Sequence, residues 1–303
     1  MADCQPIYLL AYEQDELVGR ASLWLIRNEP IPVKLPAFLM KLISAATSHW
    51  PLLICRSPMA NTSGLILPEG TRREAILGAL TEAAYHTSKQ LGAAILVFDY
   101  LDVSSLEGWP SNFATIKVPG SGTVLENHWT TMEEYLAQGG KKDRQHYKRS
   151  LRKAAELGIR LERCRKVSDV EAALKLIRQV ERRYASPPNP WMRNLLENVE
   201  SVGGTWLEAH MEKKLVGCGL ILEDNGAQMT TALGLAEGIT YAYFLLVYAS
   251  LEEAFAKQVR LLRWGSGAYE VKERLGFRLA QDNFVVARGT NRLTNLIGKW
   301  AAF

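Results

Sequence analysis

Cysteine and histidine are scarce in this chain of 303 residues, which holds four of the first and five of the second. The cysteines Cys4, Cys55, Cys164 and Cys218 are far apart and form no C-x-x-C pair, a pattern of reduced thiols rather than of a disulfide framework. The histidines His49, His86, His128, His146 and His210 are scattered, with no H-E-x-x-H and no Cys/His cluster, so no metal site is expected. Long apolar runs are also missing. A membrane span needs ~20 apolar residues, and the best candidate, Tyr241 to Ala249, soon meets Glu252 and Glu253. The first residues lack a basic segment ahead of an apolar one, so no signal peptide and a cytoplasmic location are expected. There is no G-x-S-x-G, no Walker loop and no G-x-G-x-x-G after a strand, which weighs against hydrolase elbows, P-loop kinases and nicotinamide enzymes. The net charge of +4 is too small to announce a nucleic-acid binder.

What is present is a globular composition, 48% hydrophobic and 22% charged, enough for one large core or two medium ones. Helix and strand signals alternate. Ile7–Tyr12 and Leu17–Ile26 flank an acidic turn and read as a hairpin. Prolines 30, 32 and 36 then break the chain, a short helix is expected over Phe38–Ala46, and a short strand over Pro51–Arg56. Thr71 with Glu74 has capping-box spacing before a helix that Gly92 stops, and Ala94–Phe98 reads as a buried strand. Thr131 with Glu134 and Ser168 with Glu171 mark two further helix starts. Between them a basic helix runs from Lys141 to Gly158 and leads to a strand at Ile159–Cys164. Strands follow at Thr205–Met211, Leu215–Leu222 and Ala227–Leu233, then a helix near Thr240–Lys257 and a strand at Arg260–Trp264. A turn of helix near Tyr269–Leu275 and one last strand at Arg278–Ala287 complete the reading.

An internal repeat organises these elements. At a constant offset of 198 residues, Leu9 matches Leu207, Ala11 matches Ala209, and Leu17-Val18-Gly19 matches Leu215-Val216-Gly217. Each copy is a hairpin with a charged turn, later followed by a long helix and a buried strand. Such a match favours duplication. The expected division is residues 1–125 as a degenerate first half, 126–165 as linker helices and 166–303 as the second half.

The second half resembles the GNAT acyltransferase superfamily. The pieces are KKLVGCGLIL, AQMTTALGL, the helix through Tyr243–Phe255, VRLLRW and YEVKERLGF. Two such halves in tandem look like the Fem-type, FemAB-like branch. The segment from Met132 to Glu162 is similar to that branch's linker, and RWGSGAYEVKERLGF to its closing motif, with the final pair reversed as Gly276-Phe277. The resemblance implies an α/β fold of two tandem GNAT-like halves, each a mixed, mostly antiparallel sheet flanked by helices. There are departures. The glycine-rich pyrophosphate loop ahead of the long helix is replaced by Leu235–Tyr243, which offers few backbone N–H groups to a phosphate. Arg263 replaces the motif's Asp, and Lys272 stands four residues before Gly276, where many GNAT enzymes carry a tyrosine acid. No long helical insertion of the kind that holds tRNA in Fem ligases is seen.

Acyl transfer needs a carbonyl held near a deprotonated amine, donors for the oxyanion and a proton for the leaving group. Lys272 follows the glycine-flanked turn after Trp264, and strand ends in α/β folds gather functional groups. It is the candidate acid or base, with Arg263 and Arg274 near enough in sequence to lower its pKa, and reads equally as a surface lysine; Glu270 is a second base candidate that reads more readily as an exposed surface residue. In the basic run, Arg144, Tyr147, Leu151 and Ala154 share one face, which points Arg144 inward to a structural carboxylate or a donor phosphate. Lys142, Lys148, Arg149, Arg152 and Lys153 fall on solvent faces. Tyr241 and Tyr243 stand where the phosphate loop is lost, Tyr241 as a tunnel wall and Tyr243 as core or wall. Trp264, Ser266 and Tyr269 complete the candidate donor or substrate contacts. Asn61–Gly64 is a turn by composition, or the lip of a cleft.

Three functions compete. One is an N-acyltransferase moving an acyl group from acyl-CoA or an acyl carrier protein to a small-molecule or peptide amine. The second is a Fem-type transfer from aminoacyl-tRNA, which the missing insertion and the modest charge disfavour. The third is a non-catalytic binding protein on a degenerate acyltransferase fold. No covalently bound cofactor is expected.

Overall fold

The computed structural model describes residues 4–27, 49–57, 62–118, 120–184, 188–189, 191–224, 226–291 and 294. The chain divides into two compact units, Met1–Gly122 with Ala280–Phe303, and Thr123–Leu279. The expected Phe38–Ala46 helix, and Asn61 of the expected turn, lie outside the described residues.

In the first unit, β1 (Cys4–Glu13), β2 (Glu16–Ile26), β3 (Leu52–Cys55), β4 (Leu65–Ile66), β5 (Ile95–Leu101), β6 (Ala114–Lys117) and β14 (Phe284–Gly289) form one sheet with α1 (Arg73–Gln90) against it. Its order is β1-β2-β3-β5-β14-β6, with β4 on β2. In the second unit the strands are β7 (Thr123–Glu126), β8 (Ile159–Cys164), β9 (Thr205–Met211), β10 (Lys214–Asp224), β11 (Ala227–Leu235), β12 (Leu261–Trp264) and β13 (Arg278–Leu279). Its helices are α2 (Met132–Gln138), α3 (Lys141–Glu156), α4 (Val170–Arg183), α5 (Met192–Glu197), α6 (Thr240–Ala256) and α7 (Tyr269–Arg274). The sheet order is β13-β7-β12-β11-β10-β9-β8.

The repeat is the topology. β1 and β2 are antiparallel, β2 and β3 antiparallel, β3 and β5 parallel with α1 between them in sequence. β9 and β10, then β10 and β11, are likewise antiparallel, and β11 and β12 are parallel with α6 between them. The two hairpin turns match as well: Gln14-Asp15 and Glu212-Lys213 all have positive φ, the mirror-image turn whose twist suits a two-residue hairpin loop. The shared Leu-Val-Gly has a packing reason. A Cβ on Gly19 would lie 2.6 Å from Ile76 Cγ2 of α1, and one on Gly217 would lie 3.2 Å from both Ala242 Cβ and Leu246 Cδ1 of α6. In each unit that glycine lets the long helix close onto the hairpin.

The unit boundaries fall elsewhere than the sequence reading puts them. The expected linker helices α2 and α3 belong to the second unit, and so does β7. The expected strand Arg278–Ala287 is two strands. β13 pairs with β7 in the second sheet, whereas β14 lies between β5 and β6 in the first. Backbone pairing, not proximity in sequence, decides where so short a segment ends up. Two helix starts also differ. A 3-10 turn over Gly70–Arg72 precedes α1, and Asp169 rather than Ser168 caps α4, its side chain accepting from Ala172 N at 3.0 Å. The Thr131 cap of α2 holds, accepting from Glu134 N at 3.1 Å.

The second sheet is covered on both faces. α6 lies over Leu207, Ile221 and Gly217, while Leu176 and Ile177 of α4 sit over Gly234 on the opposite face. The far side of α6 joins a cluster of Leu125, Met132, Leu136, Leu251, Phe255, Leu262, Trp264 and Phe277. A helix buried on both sides explains the nearly unbroken apolar run from Tyr241. Among the described residues no helix is long and apolar enough to cross a membrane.

Candidate functional site

The site is built where β11 and β12 part. Their parallel pairing runs from Ala227↔Leu261 to Thr230↔Trp264 and stops there, while β11 continues to Leu235. Just past the stop, the register between β10 and β11 slips between Cys218↔Gly234 and Leu220↔Thr231, and Ala232 has φ 51°. This is a bulge, a device that re-aims backbone groups and concentrates near active sites. Gly267 and Ala268, both with positive φ, then turn the chain so that α7 returns to the end of β12.

Lys272 fills that position. It is 7% exposed, its ammonium donates to Gly265 O, and its Nζ lies 5.9 Å from the Tyr269 ring centroid. Among the described residues no carboxylate pairs with it. Burial alone lowers its pKa to about 8, so the charges of Arg263 and Arg274, expected to do this, are not the cause. The first unit treats the equivalent strand ends differently. Beyond Cys55↔Phe98, Arg56 and Asp99 form an ion pair at 3.4 Å; burial raises the Asp99 pKa and Arg56 partly offsets the rise.

The other sequence candidates divide. Trp264 is a core residue, stacked on Phe277 at 4.1 Å, and among the described residues its buried indole Nε1 has no hydrogen-bond partner. Tyr269 is half-buried beneath the lysine, whereas Ser266 and Glu270 are exposed. Tyr241 packs with Ala154, Ile159 and Ala242, and Tyr243 against the Trp264 cluster; burial pushes the Tyr243 hydroxyl up to about 12. Tyr147 stacks edge-on to Tyr248 at 4.8 Å and donates to Glu252 Oε1 at 3.2 Å, so it serves the α3–α6 contact.

Arg144 does not point inward. It is exposed, and its Nη1 donates to Leu136 O at 3.2 Å and Gly139 O at 3.0 Å. The carbonyls that α2 leaves unpaired at its C-terminus hold the guanidinium, as such ends attract cations. The inward face of α3 is set one step away, by Asp143, His146, Tyr147, Ser150 and Ala154.

That face borders a cavity of about 280 Å³ between α2, α3, α6 and α7. Aromatic and aliphatic side chains make most of its wall, with Asp143, His146 and Arg274 among the polar members. His146 Nδ1 and Tyr248 OH are 2.8 Å apart. Burial, then Arg274 and Arg149, lower the His146 pKa, which favours the neutral ring. The sequence reading missed His146 and Tyr248. The signal was available in the i, i+3, i+7 spacing of Asp143, His146 and Ser150.

One group of metal-type donors exists among the described residues, Glu162, Glu208 and His210. The buried Glu208 already accepts from Ser168 N at 2.9 Å, Ser168 Oγ and Trp206 Nε1 at 2.8 Å, and stands 2.9 Å from His210 Nε2. Its oxygens are committed to a network that ties the start of α4 to β9.

Comparison with known proteins bears on the fold. Residues 141–273 match the family described as Acetyltransferase (GNAT) domain. This segment is similar to a GNAT domain. No curated protein matches the chain. Among solved structures, FemX is similar with TM-score 0.65 and 10% identity, over 98% of this chain and 91% of that one. L-PGS from Bacillus licheniformis is similar with TM-score 0.55 and 11% identity, over 99% and 89%. A tandem GNAT protein from the clavulanic acid biosynthesis pathway has TM-score 0.51 and 13% identity, over 95% and 84%. At such identities these likenesses show the fold alone, two GNAT-like halves in tandem. β11, α6, β12 and Lys272 all fall within the matched range.

Proposed function

We propose that the chain is an N-acyltransferase whose GNAT domain moves an acyl group from CoA or a carrier protein to an amine. The observation that carries this reading is a buried lysine with a pKa near 8 at the point where β11 and β12 part. In the transfer, the amine nitrogen forms a bond to the thioester carbonyl carbon, the oxygen takes up negative charge, and collapse breaks the carbon–sulfur bond. The ammonium of Lys272 gives its proton to the departing thiolate, and the neutral lysine then takes one from the new amide nitrogen. Backbone N–H groups at the Ala232 bulge are the proposed oxyanion donors. Glu270, exposed on the first turn of α7, has no step in this scheme.

One observation favours an aminoacyl donor as a second reading. The connection from β11 to α6 holds a single glycine, Gly238, beside the acid Glu237, a poor cradle for the CoA pyrophosphate. An aminoacyl ester does not need that cradle. The first unit is proposed as a degenerate copy, its strand ends closed by Arg56 and Asp99. The test is release of free thiol from acetyl-CoA and octanoyl-CoA by the full chain, with lysine, spermidine, glucosamine and Gly-Gly as amines. A parallel arm measures amine-dependent deacylation of a charged tRNA pool. Amine-dependent turnover in the first arm supports CoA, in the second the aminoacyl donor, and in neither refutes acyl transfer.

A further inference from the structure

The cavity between α2, α3, α6 and α7 is separate in chemistry from the lysine site. Val271 lines it, while the next residue, Lys272, reaches Gly265, so α7 presents the two residues to different surroundings. Several polar groups on the wall are already engaged. Trp129 Nε1 donates to Gln138 Oε1 at 2.8 Å, and Tyr135 OH to Leu275 O at 2.9 Å. Tyr248 OH is bonded to His146 Nδ1, and Asp143 Oδ2 accepts from Gly140 N at 2.9 Å. Arg274 is the unpaired cation: among the described residues its guanidinium has no hydrogen bond or ion pair, and the other groups left over on the wall are Asp143 Oδ1, His146 Nε2 and Gln138 Nε2. A wall that is mostly aromatic and aliphatic, with many of its polar atoms internally paired, offers a ligand mainly apolar contact, and the guanidinium at its edge offers an anion a partner. The volume of about 280 Å³ is nearly twice the ~150 Å³ that admits a single benzene ring. It fits a medium-length alkyl or an aryl group.

We propose that this cavity is a binding site for a small organic anion with an apolar body, its alkyl or aryl part enclosed by Trp129, Leu136 and Phe244 and its carboxylate paired with Arg274. Binding here does not depend on the acyl-transfer reading, so the two fail separately.

The experiment is titration of the full chain with octanoate, 3-phenylpropionate, octanol and octylamine, followed by calorimetry and by the fluorescence of the protein's tryptophans, Trp129 among them. Octanoate and 3-phenylpropionate are expected to bind saturably, at least ~10-fold more tightly than octanol or octylamine, the scale of one charge-assisted pair. Arg274→Gln, at an exposed position, should remove that ~10-fold preference and leave octanol binding as it was. Leu136→Phe should narrow the cavity and weaken all the ligands. If that variant does not fold, the indole N–H resonance of Trp129 in the native chain serves instead, and should shift with octanoate. Absence of saturable binding, a preference that survives Arg274→Gln, or an unmoved Trp129 resonance would each overturn the proposal. Binding without any acyl transfer would leave the site standing and count only against the acyl-transfer reading.

Discussion

Replacing Lys272 by methionine should make the protein more stable and less active at once. The stem volume is kept and the ammonium removed. In the native state burial brings the lysine pKa from 10.5 to about 8. At ~1.4 kcal/mol for each tenfold change in proton affinity, keeping the charge at pH 7 costs the folded state about 3 kcal/mol. The bond from Nζ to Gly265 O is lost in the variant, which returns ~1 kcal/mol. The net gain is ~2 kcal/mol, or roughly 4–8 °C in the melting of a unit of this size. The sign fixes the pH dependence. The folded-state pKa is depressed, so the penalty is complete below pH 8, shrinks as pH rises from about 8 to 10.5, and is gone above that range. Wild type should therefore gain on Lys272→Met across that window. Calorimetry or urea unfolding of both proteins at pH 7 and pH 10.5 measures it. A variant no more stable than wild type at pH 7, or a gain that is the same at both pH values, would refute the argument.

Other consequences follow from packing and charge. Glu208→Gln should destabilise by ~3–5 kcal/mol at pH 7, because it leaves part of the Ser168, Trp206 and His210 network unpaired. Burial raises the Glu208 pKa, but hydrogen bonds from Ser168, His210 and Trp206 outweigh it and hold the value below 4.5; the stabilisation is present above pH 4.5 and lost as pH falls below it, so melting curves of the two proteins should converge in acid. Gly217→Val should cost ~1–3 kcal/mol in urea unfolding by pushing α6 from the hairpin. Trp264→Phe should change stability by less than ~1 kcal/mol, since the lost ring is offset by removal of an unpaired buried N–H, whereas Trp264→Ala should cost ~3–5 kcal/mol; thermal unfolding separates the two.

The fold was legible where local pattern and packing agree. The hairpin turns carry charged residues at Gln14-Asp15 and Glu212-Lys213, and the strands beside them keep the Leu-Val-Gly that a closely packed helix requires. Arg144 was misread because an apolar stripe one position off gives nearly the same spacing, and because the carbonyls of α2 that hold it belong to another helix. The strands β6, β7 and β14 are short, and only pairing across the sequence tells which sheet takes each one. The place of Lys272 after a strand and a glycine turn was legible, whereas its burial comes from packing that local pattern does not show. The His146–Tyr248 pair was not, since those residues lie 102 apart and meet only through helix packing.

The central claim is that acyl transfer takes place at the end of β12 with Lys272 as the proton carrier. Its most direct test is a single-turnover reaction of isotope-labelled acyl donor with the amine that the full chain accepts, followed by mass spectrometry over pH 6 to 10. Wild type should yield labelled amide with a rate that reports a group titrating near 8, and Lys272→Met should lower that rate by ~10²-fold or more while Glu270→Gln leaves it unchanged. Equal rates in wild type and Lys272→Met, with the same pH profile, would contradict the account.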